Sequence, residues 1–221
     1  IAPFPIGGDP LADGAPARAP HVINTSWSCP PIEGCAATDV LQDVVAAVHA
    51  AGIVTVHSAG NSGPGCETVT DPATIYDASF SVGATNANDT IAGFSSRGPV
   101  TVDGSGRRKP DVVAPGVGIQ SSLPGNGYGA NSGTSMAAPH VAGLVALLVS
   151  AKPSLAGDVA ALEAAITQTA LPKTSNQGCG DDTPTSVPNN VYGWGRIDAL
   201  AAYESLDIVR YDVLMPLAIR N

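Results

Sequence analysis

Apolar residues recur along the chain in short strand-like runs separated by one helix-like stretch. Residues 21–28 predict a buried strand that runs into a polar edge, and residues 53–57 and 79–85 predict two further buried strands. Between the first two, residues 38–51 predict an amphipathic helix that Thr38 caps and Gly52 ends. Its apolar face is formed by residues at spacings of three and four: Val40, Leu41, Val44, Val45 and Val48. This order predicts a right-handed βαβ unit and a parallel sheet.

A second helix is predicted where small, flexible residues give way to the apolar run Leu144–Val149. We expect a tight loop that becomes a buried helix, with Ser135 at the junction. Unpaired N–H groups at a helix start stabilise developing negative charge, so this position suits a nucleophile. The alternative is a serine that only caps the helix. Ser154 is predicted to cap one more helix, with Leu155, Val159, Leu162 and Ile166 on its apolar face.

Composition narrows the class of protein. A chain of 221 residues suits one domain, and 44% hydrophobic residues with few aromatics indicate an α/β core. The net charge of −9 argues against nucleic acid as a partner, because phosphates require clustered basic residues. The sequence shows no signal peptide and no predicted transmembrane run, so no membrane partner is expected.

Four cysteines lie among turn residues, and an even count in loops predicts two disulfides and an oxidising compartment. Three pairings are available. We favour Cys29 with Cys35, which bracket a short loop, and Cys66 with Cys179. A zinc site is the alternative, but the spacing lacks a C-x-x-C pair and has no histidine close by.

The stretch from Asn131 to Gly143 resembles, almost letter for letter, the serine box of the subtilisin-like serine proteases, the subtilases. Residues 58–63 resemble the oxyanion box of that family, and residues 91–99, 111–116 and 193–200 resemble its structural boxes. With the Cys29–Cys35 loop, the pattern is similar to the bacillopeptidase-type subtilases. The resemblance implies an α/β, three-layer fold with a mostly parallel sheet flanked by helices, lacking its N-terminal portion.

The resemblance also implies roles for particular residues. Ser135 would be the catalytic nucleophile, and the Asn61 amide with the Ser135 N–H would form the oxyanion hole. Asn61 as a plain turn residue and Trp27 as a core or rim aromatic are the alternatives. No metal ligand is predicted and no cofactor is indicated, except that loop carbonyls near Tyr76 hold calcium in some subtilases. The expected substrate-binding residues are Ser26, Trp27, Ser28, Ser58, Ala59, Gly60 and Thr134.

A subtilase also needs an Asp box and a His-Gly-Thr-His box upstream of these motifs, and this sequence contains neither. None of the histidines, His21, His49, His57 or His140, is assigned as the general base. His140 follows Ser135 by five residues, so the two side chains diverge by about 140° on a helix. We therefore expect residues 1–206 to be the C-terminal part of a catalytic domain and residues 207–221 to be a tail or linker.

The function expected from the resemblance is that of a secreted serine endopeptidase that hydrolyses peptide bonds through an acyl-enzyme. Its partners would be a protein or peptide substrate and the missing N-terminal part of its own domain. Without that part, the chain is expected to be inactive. The alternative is a catalytically dead subtilase acting as a binding or scaffold module. An α/β-hydrolase esterase is discounted, because residues 133–137 lack the second glycine of a G-x-S-x-G elbow.

Overall fold

A computed structural model describes residues 6–9, 12–29 and 31–206, so the predicted tail 207–221 lies outside the described residues. Six strands and four α-helices are described, together with short 3₁₀ turns at Pro16–Arg18, Pro31–Glu33 and Pro153–Leu155. The strands are β1 Val22–Thr25, β2 Val54–Ser58, β3 Phe80–Thr85, β4 Val112–Pro115, β5 Ile119–Leu123 and β6 Gly127–Asn131. The helices are α1 Gln42–Ala50, α2 Thr134–Ala151, α3 Val159–Gln168 and α4 Ala199–Glu204.

The sheet that organises the molecule is four-stranded and parallel, in the order β1-β2-β3-β4. Val22 pairs with Val54, Val56 with Phe80, and Val82 with Val112. Strands β5 and β6 form a separate antiparallel hairpin that is largely exposed. Parallel strands end at the same edge of a sheet, so the residues that follow β1 and β2 are brought together there.

The side chains of the parallel strands alternate between two packed layers, as the period of two requires. On one face, apolar positions of β2, β3 and β4 form the main core with α2, α3 and α4. A separate cluster contains Val45 of α1 together with Val69, Ile75 and Val100. The three-layer α/β arrangement expected from the sequence is therefore confirmed.

The helix α2 is the central packing element of the main core. Its 18 residues are enough, by length and composition alone, to cross a membrane, although the sequence analysis predicted no transmembrane run. Here its apolar positions, among them Val141, Leu144 and Leu148, pack against the sheet. A helix buried in a protein core can be as long and as apolar as a membrane-spanning helix, so length and composition do not distinguish the two.

Two helix starts differ from the prediction. Helix α1 begins at Gln42 and not at Thr38, and the residue before it makes no side-chain cap bond. The Leu41 N–H instead donates to the Tyr76 hydroxyl at 3.2 Å, and Val40 and Val44 are exposed rather than on the buried face. Helix α3 is capped by Asp158, whose carboxylate accepts from the Ala161 N–H at 3.0 Å, whereas Ser154 lies in the preceding 3₁₀ turn.

The strand β1 is shorter and less buried than predicted. It covers Val22–Thr25, and its residues are half-buried or exposed, whereas β2 and β3 are buried throughout. Among the described strands, β1 pairs only with β2, so its other edge is open. An open edge exposes a row of backbone groups that can accept another strand.

Both favoured disulfides are present, Cys29–Cys35 and Cys66–Cys179. The second joins the loop after β2 to the C-terminal third of the chain, across a sequence separation of 113 residues. No free cysteine is left. Two disulfides fit a protein of an oxidising compartment.

Candidate active site

Asn61 and Ser135, 74 positions apart in the sequence, lie at the carboxyl edge of the sheet. Asn61 follows β2, and Ser135 is the second residue of α2. Both line one cavity of about 330 Å³. The fold therefore brings a serine hydroxyl, a primary amide and a helix start to a common pocket.

Contacts with Thr134 fix the orientation of the Asn61 side chain. Its Oδ1 accepts from the Thr134 backbone N–H at 2.9 Å and from the Thr134 hydroxyl at 3.1 Å. A backbone N–H can only donate, so the Asn61 atom facing it must be the oxygen. The Asn61 amide nitrogen is then left to face the pocket, and no described residue accepts a hydrogen bond from it.

Thr134 itself is fully buried, so the substrate-binding role predicted for it cannot involve its side chain directly. Its hydroxyl accepts from the Gly60 N–H at 3.2 Å while donating to Asn61. Gly60 has φ of +103°, a conformation that favours glycine. Thr134 thus holds the turn that carries Asn61 against the start of α2.

Ser135 is half-buried, and reciprocal hydrogen bonds connect it to Ser26. The Ser135 hydroxyl donates to the Ser26 carbonyl oxygen at 3.4 Å, and the Ser26 hydroxyl donates to the Ser135 carbonyl oxygen at 3.1 Å. The Ser135 N–H belongs to the first turn of α2, where N–H groups lack intrahelical acceptors. The hydroxyl and a free backbone donor are therefore presented from the same residue.

The expected substrate-binding residues divide into two groups. Five of them line the cavity with Asn61 and Ser135, whereas Ala59 is 1% exposed and lies behind it with Thr134. Trp27 is 54% exposed, so it is a wall of the cavity and not a core aromatic. Two lining residues that the sequence interpretation did not assign are Ser62 and Asp71. The five predicted lining residues are Ser26, Trp27, Ser28, Ser58 and Gly60.

Ser135 also borders a second cavity, of about 330 Å³, on the side of the exposed hairpin. Its lining includes Ile119 of β5 and Met136, Pro139 and His140 of α2. Ser135 therefore lies between two cavities, and a peptide bound across it could extend into both.

None of the four histidines bonds to the Ser135 hydroxyl in the part of the chain that the structure describes. His140 is exposed, and its Nδ1 contacts the Met136 carbonyl oxygen at 2.9 Å. His57 is buried in β2, where burial and, secondly, the charge of Lys109 lower its pKa to about 4. His21 precedes β1, and His49 lies near the end of α1 beside a different cavity.

Comparison with known protein families places these residues in context. The sequence matches the Subtilase family over residues 11–195, a range that includes the whole sheet and every residue of the pocket. The chain therefore belongs to the subtilase family, as its motifs predicted.

Particular relatives extend the comparison. Bacillopeptidase F from Bacillus subtilis (strain 168) is 39% identical over an alignment of 213 positions that covers 93% of this chain and 13% of that protein. Serine protease AprX from the same strain is 35% identical over 73% of this chain and 37% of its own length. Subtilisin E, also from that strain, is 43% identical over 60% of this chain and 32% of its own length. The chain thus spans well under half of each of these curated relatives.

Solved structures agree with the fold. The Prenylagaramide maturation protease PagA has a TM-score of 0.60 and 25% identity, over 75% of this chain and 55% of that one. The Patellamide maturation protease PatA, with a TM-score of 0.58 and 24% identity over the same shares, has a similar fold.

Proposed function

We propose that this chain supplies the nucleophile, the oxyanion hole and part of the substrate groove of a serine endopeptidase. Membership of the subtilase family supports peptide-bond hydrolysis in general. The observation that carries the proposal is the shared pocket of Asn61 and Ser135, in which Thr134 holds the Asn61 carbonyl oxygen away from the cavity. The substrate is a protein or peptide.

The proposed reaction uses these groups in sequence. Ser135 Oγ attacks the carbonyl carbon of the scissile bond while its proton passes to a histidine base. The Asn61 amide and the Ser135 N–H stabilise the oxyanion that forms. The base returns the proton to the leaving amine as the C–N bond breaks, and water then hydrolyses the acyl-enzyme.

We infer that the histidine and its aspartate partner come from a segment of the longer protein that precedes this sequence. Two features support this inference: no described histidine reaches Ser135, and β1 has an open edge beside the pocket. A serine hydroxyl of ordinary acidity is a poor nucleophile without a base. The chain by itself is therefore expected to be inactive. We propose a secreted location, which the two disulfides favour.

A second candidate function is a binding module without catalysis. The observation that favours it is the Ser135 hydroxyl bonded to a backbone carbonyl and not to a base. The orientation of Asn61 favours the first candidate, because a module that only binds does not need an amide nitrogen directed into the pocket.

Labelling with a fluorophosphonate distinguishes the endopeptidase from the binding module. The longer natural protein should be labelled at Ser135, its Ser135→Ala variant should not, and residues 1–221 alone should react negligibly. Mass spectrometry of the labelled peptide identifies the site. Labelling of residues 1–221 at a normal rate would overturn the inferred external base, and failure of the longer protein to react would favour the binding module.

A further inference from the structure

The pocket beside Ser135 contains one charged group. Asp71 lines it, and the other described lining residues are serines, Trp27, Gly60 and Asn61, none of which ionises near neutral pH. The second cavity bordering Ser135 has no carboxylate among its described lining residues. The two sides of the nucleophile therefore differ in charge.

The Asp71 carboxylate makes no hydrogen bond or ion pair with any residue that the structure describes. Two acidic residues elsewhere, by contrast, are paired: Asp111 lies 2.7 Å from Lys109, and Asp89 lies 2.8 Å from Arg196. Asp71 is half-buried, and this burial raises the pKa of its carboxyl. Removing an anion from water without a partner is unfavourable, so a cation entering the pocket would be stabilised.

The carboxylate faces the turn that carries Asn61. A β-carbon placed on Gly60 would lie 4.0 Å from Asp71 Oδ2, so the oxygen lies close to the backbone just before Asn61. The residue whose carbonyl occupies the oxyanion hole must place its own side chain nearby. The pocket that contains Asp71 is the one shared by Asn61 and Ser135, so that side chain enters it.

We propose that Asp71 determines specificity, so that the pocket accepts a lysine or arginine side chain from the residue that donates the scissile carbonyl. This inference rests on the proposed function, because it assigns the substrate class of the same site. The long apolar stem of such a side chain can lie along the wall while its charged end reaches Asp71. The half-exposed Trp27 ring offers a further favourable surface for a guanidinium group.

A binding experiment tests the pocket without requiring catalysis. The natural full-length protein is titrated calorimetrically with benzamidine and with benzamide, its neutral isostere. Benzamidine should bind about tenfold more tightly, as expected for a charge-assisted contact at a partly exposed site. Asp71→Asn should abolish the difference. The matched control Asp77→Asn, which alters a 97% exposed carboxylate six positions away, should retain it.

Equal binding of the two ligands by the natural protein would overturn the proposal, as would an undiminished preference in Asp71→Asn. The comparison within the natural protein does not depend on the folding of any variant. A second measurement compares kcat/KM for peptides that differ only in having arginine or leucine before the scissile bond. The arginine peptide should be favoured about tenfold, again only while Asp71 is present.

Failure of this inference is distinct from failure of the proposed function. If hydrolysis requires Ser135 but shows no preference for arginine, the specificity role of Asp71 is overturned and the proposed peptidase function is retained. If benzamidine binds preferentially but Ser135 does not react with the fluorophosphonate, the cation-binding role of the pocket is retained and the proposed peptidase function is overturned.

Discussion

Thr134 positions the proposed oxyanion donor without touching a substrate. Its hydroxyl connects the Gly60 N–H to Asn61 Oδ1, and both contacts lie behind the pocket. Loss of that hydroxyl leaves the Gly60 N–H without this partner and leaves only the Thr134 N–H to hold Asn61 Oδ1, so the Asn61 amide can rotate more freely. Thr134 would therefore affect the rate of catalysis by orienting the Asn61 amide, without contacting the substrate itself.

For the peptidase activity proposed above, we expect Thr134→Val in the longer protein to lower kcat about tenfold to hundredfold with little change in KM. This loss is smaller than the roughly 10²- to 10³-fold range established on subtilisin itself for removing an oxyanion donor. Thr134→Ser keeps the hydroxyl and should stay close to the natural rate. Steady-state kinetics on both variants test this, and equal losses would show that the methyl group and not the hydroxyl matters.

His57 links stability to pH. Burial, and secondly the Lys109 charge, lower its pKa from 6.5 to about 4, and its Nε2 has no described hydrogen-bond partner. The unfolded chain binds a proton near pH 6.5 while the folded chain stays neutral. The stability present above pH 6.5 is therefore lost as the pH falls towards 4, by an amount on the order of 3 kcal/mol.

Urea denaturation from pH 7 to pH 4 measures this dependence. A His57→Gln variant should show a flatter decline in the free energy of unfolding, whereas His140→Gln, at an exposed histidine, should follow the natural protein. Parallel curves for all three proteins would contradict the assignment of the acid sensitivity to His57.

At the scale of elements, the Cys66–Cys179 disulfide ties the loop after β2 to the C-terminal third of the chain. Its sequence separation of 113 residues far exceeds the separation of 6 for Cys29–Cys35. Closing a longer loop removes more entropy from the unfolded chain. Replacing both Cys66 and Cys179 with serine should lower the free energy of unfolding by about 2–4 kcal/mol.

The matched control replaces Cys29 and Cys35 with serine, which should lower stability less. Chemical denaturation of both double variants provides the comparison. A larger loss from the short loop would mean that local packing, rather than loop closure, governs these bonds.

The strands and the site motifs could be predicted from sequence because their signals are local. The apolar runs that became β2 and β3 needed no tertiary information, and the residues around Ser135 form one continuous motif. The start of α1 could not be predicted, because a tertiary contact from Leu41 to the Tyr76 hydroxyl replaces the expected Thr38 cap. Asp71 was missed because only the folding of its loop brings it beside Gly60.

The roles of Ala59 and Thr134 show a similar limit. The resemblance placed them in the substrate groove because they neighbour Asn61 and Ser135 in sequence. Side chains of adjacent residues point in different directions, and the structure buries both. Adjacency to a motif therefore indicates the right region but not which side chain faces the pocket.

At the scale of the whole molecule, the open edge of β1 marks where further chain can add to the sheet. In residues 1–221 alone, the amides of Val22–Thr25 should exchange with solvent hydrogen faster than those of β2 and β3, which are buried throughout. In the longer protein they should be protected, if the preceding segment pairs there.

Hydrogen exchange followed by mass spectrometry measures both cases, with the peptides of β3 serving as the internal reference. Unchanged exchange of β1 in the longer protein would show that the preceding segment docks elsewhere.

The order of groups along the chain gives the long disulfide one more consequence. Asn61 and Cys66 precede the exposed β5–β6 hairpin, whereas Ser135 and Cys179 follow it. Cleavage of the backbone in that hairpin would place Asn61 and Ser135 on separate chain segments. The Cys66–Cys179 disulfide would still join these two segments covalently. A molecule cut there would keep the Asn61 amide and the Ser135 hydroxyl tethered together, so damage at this exposed hairpin need not dismantle the site.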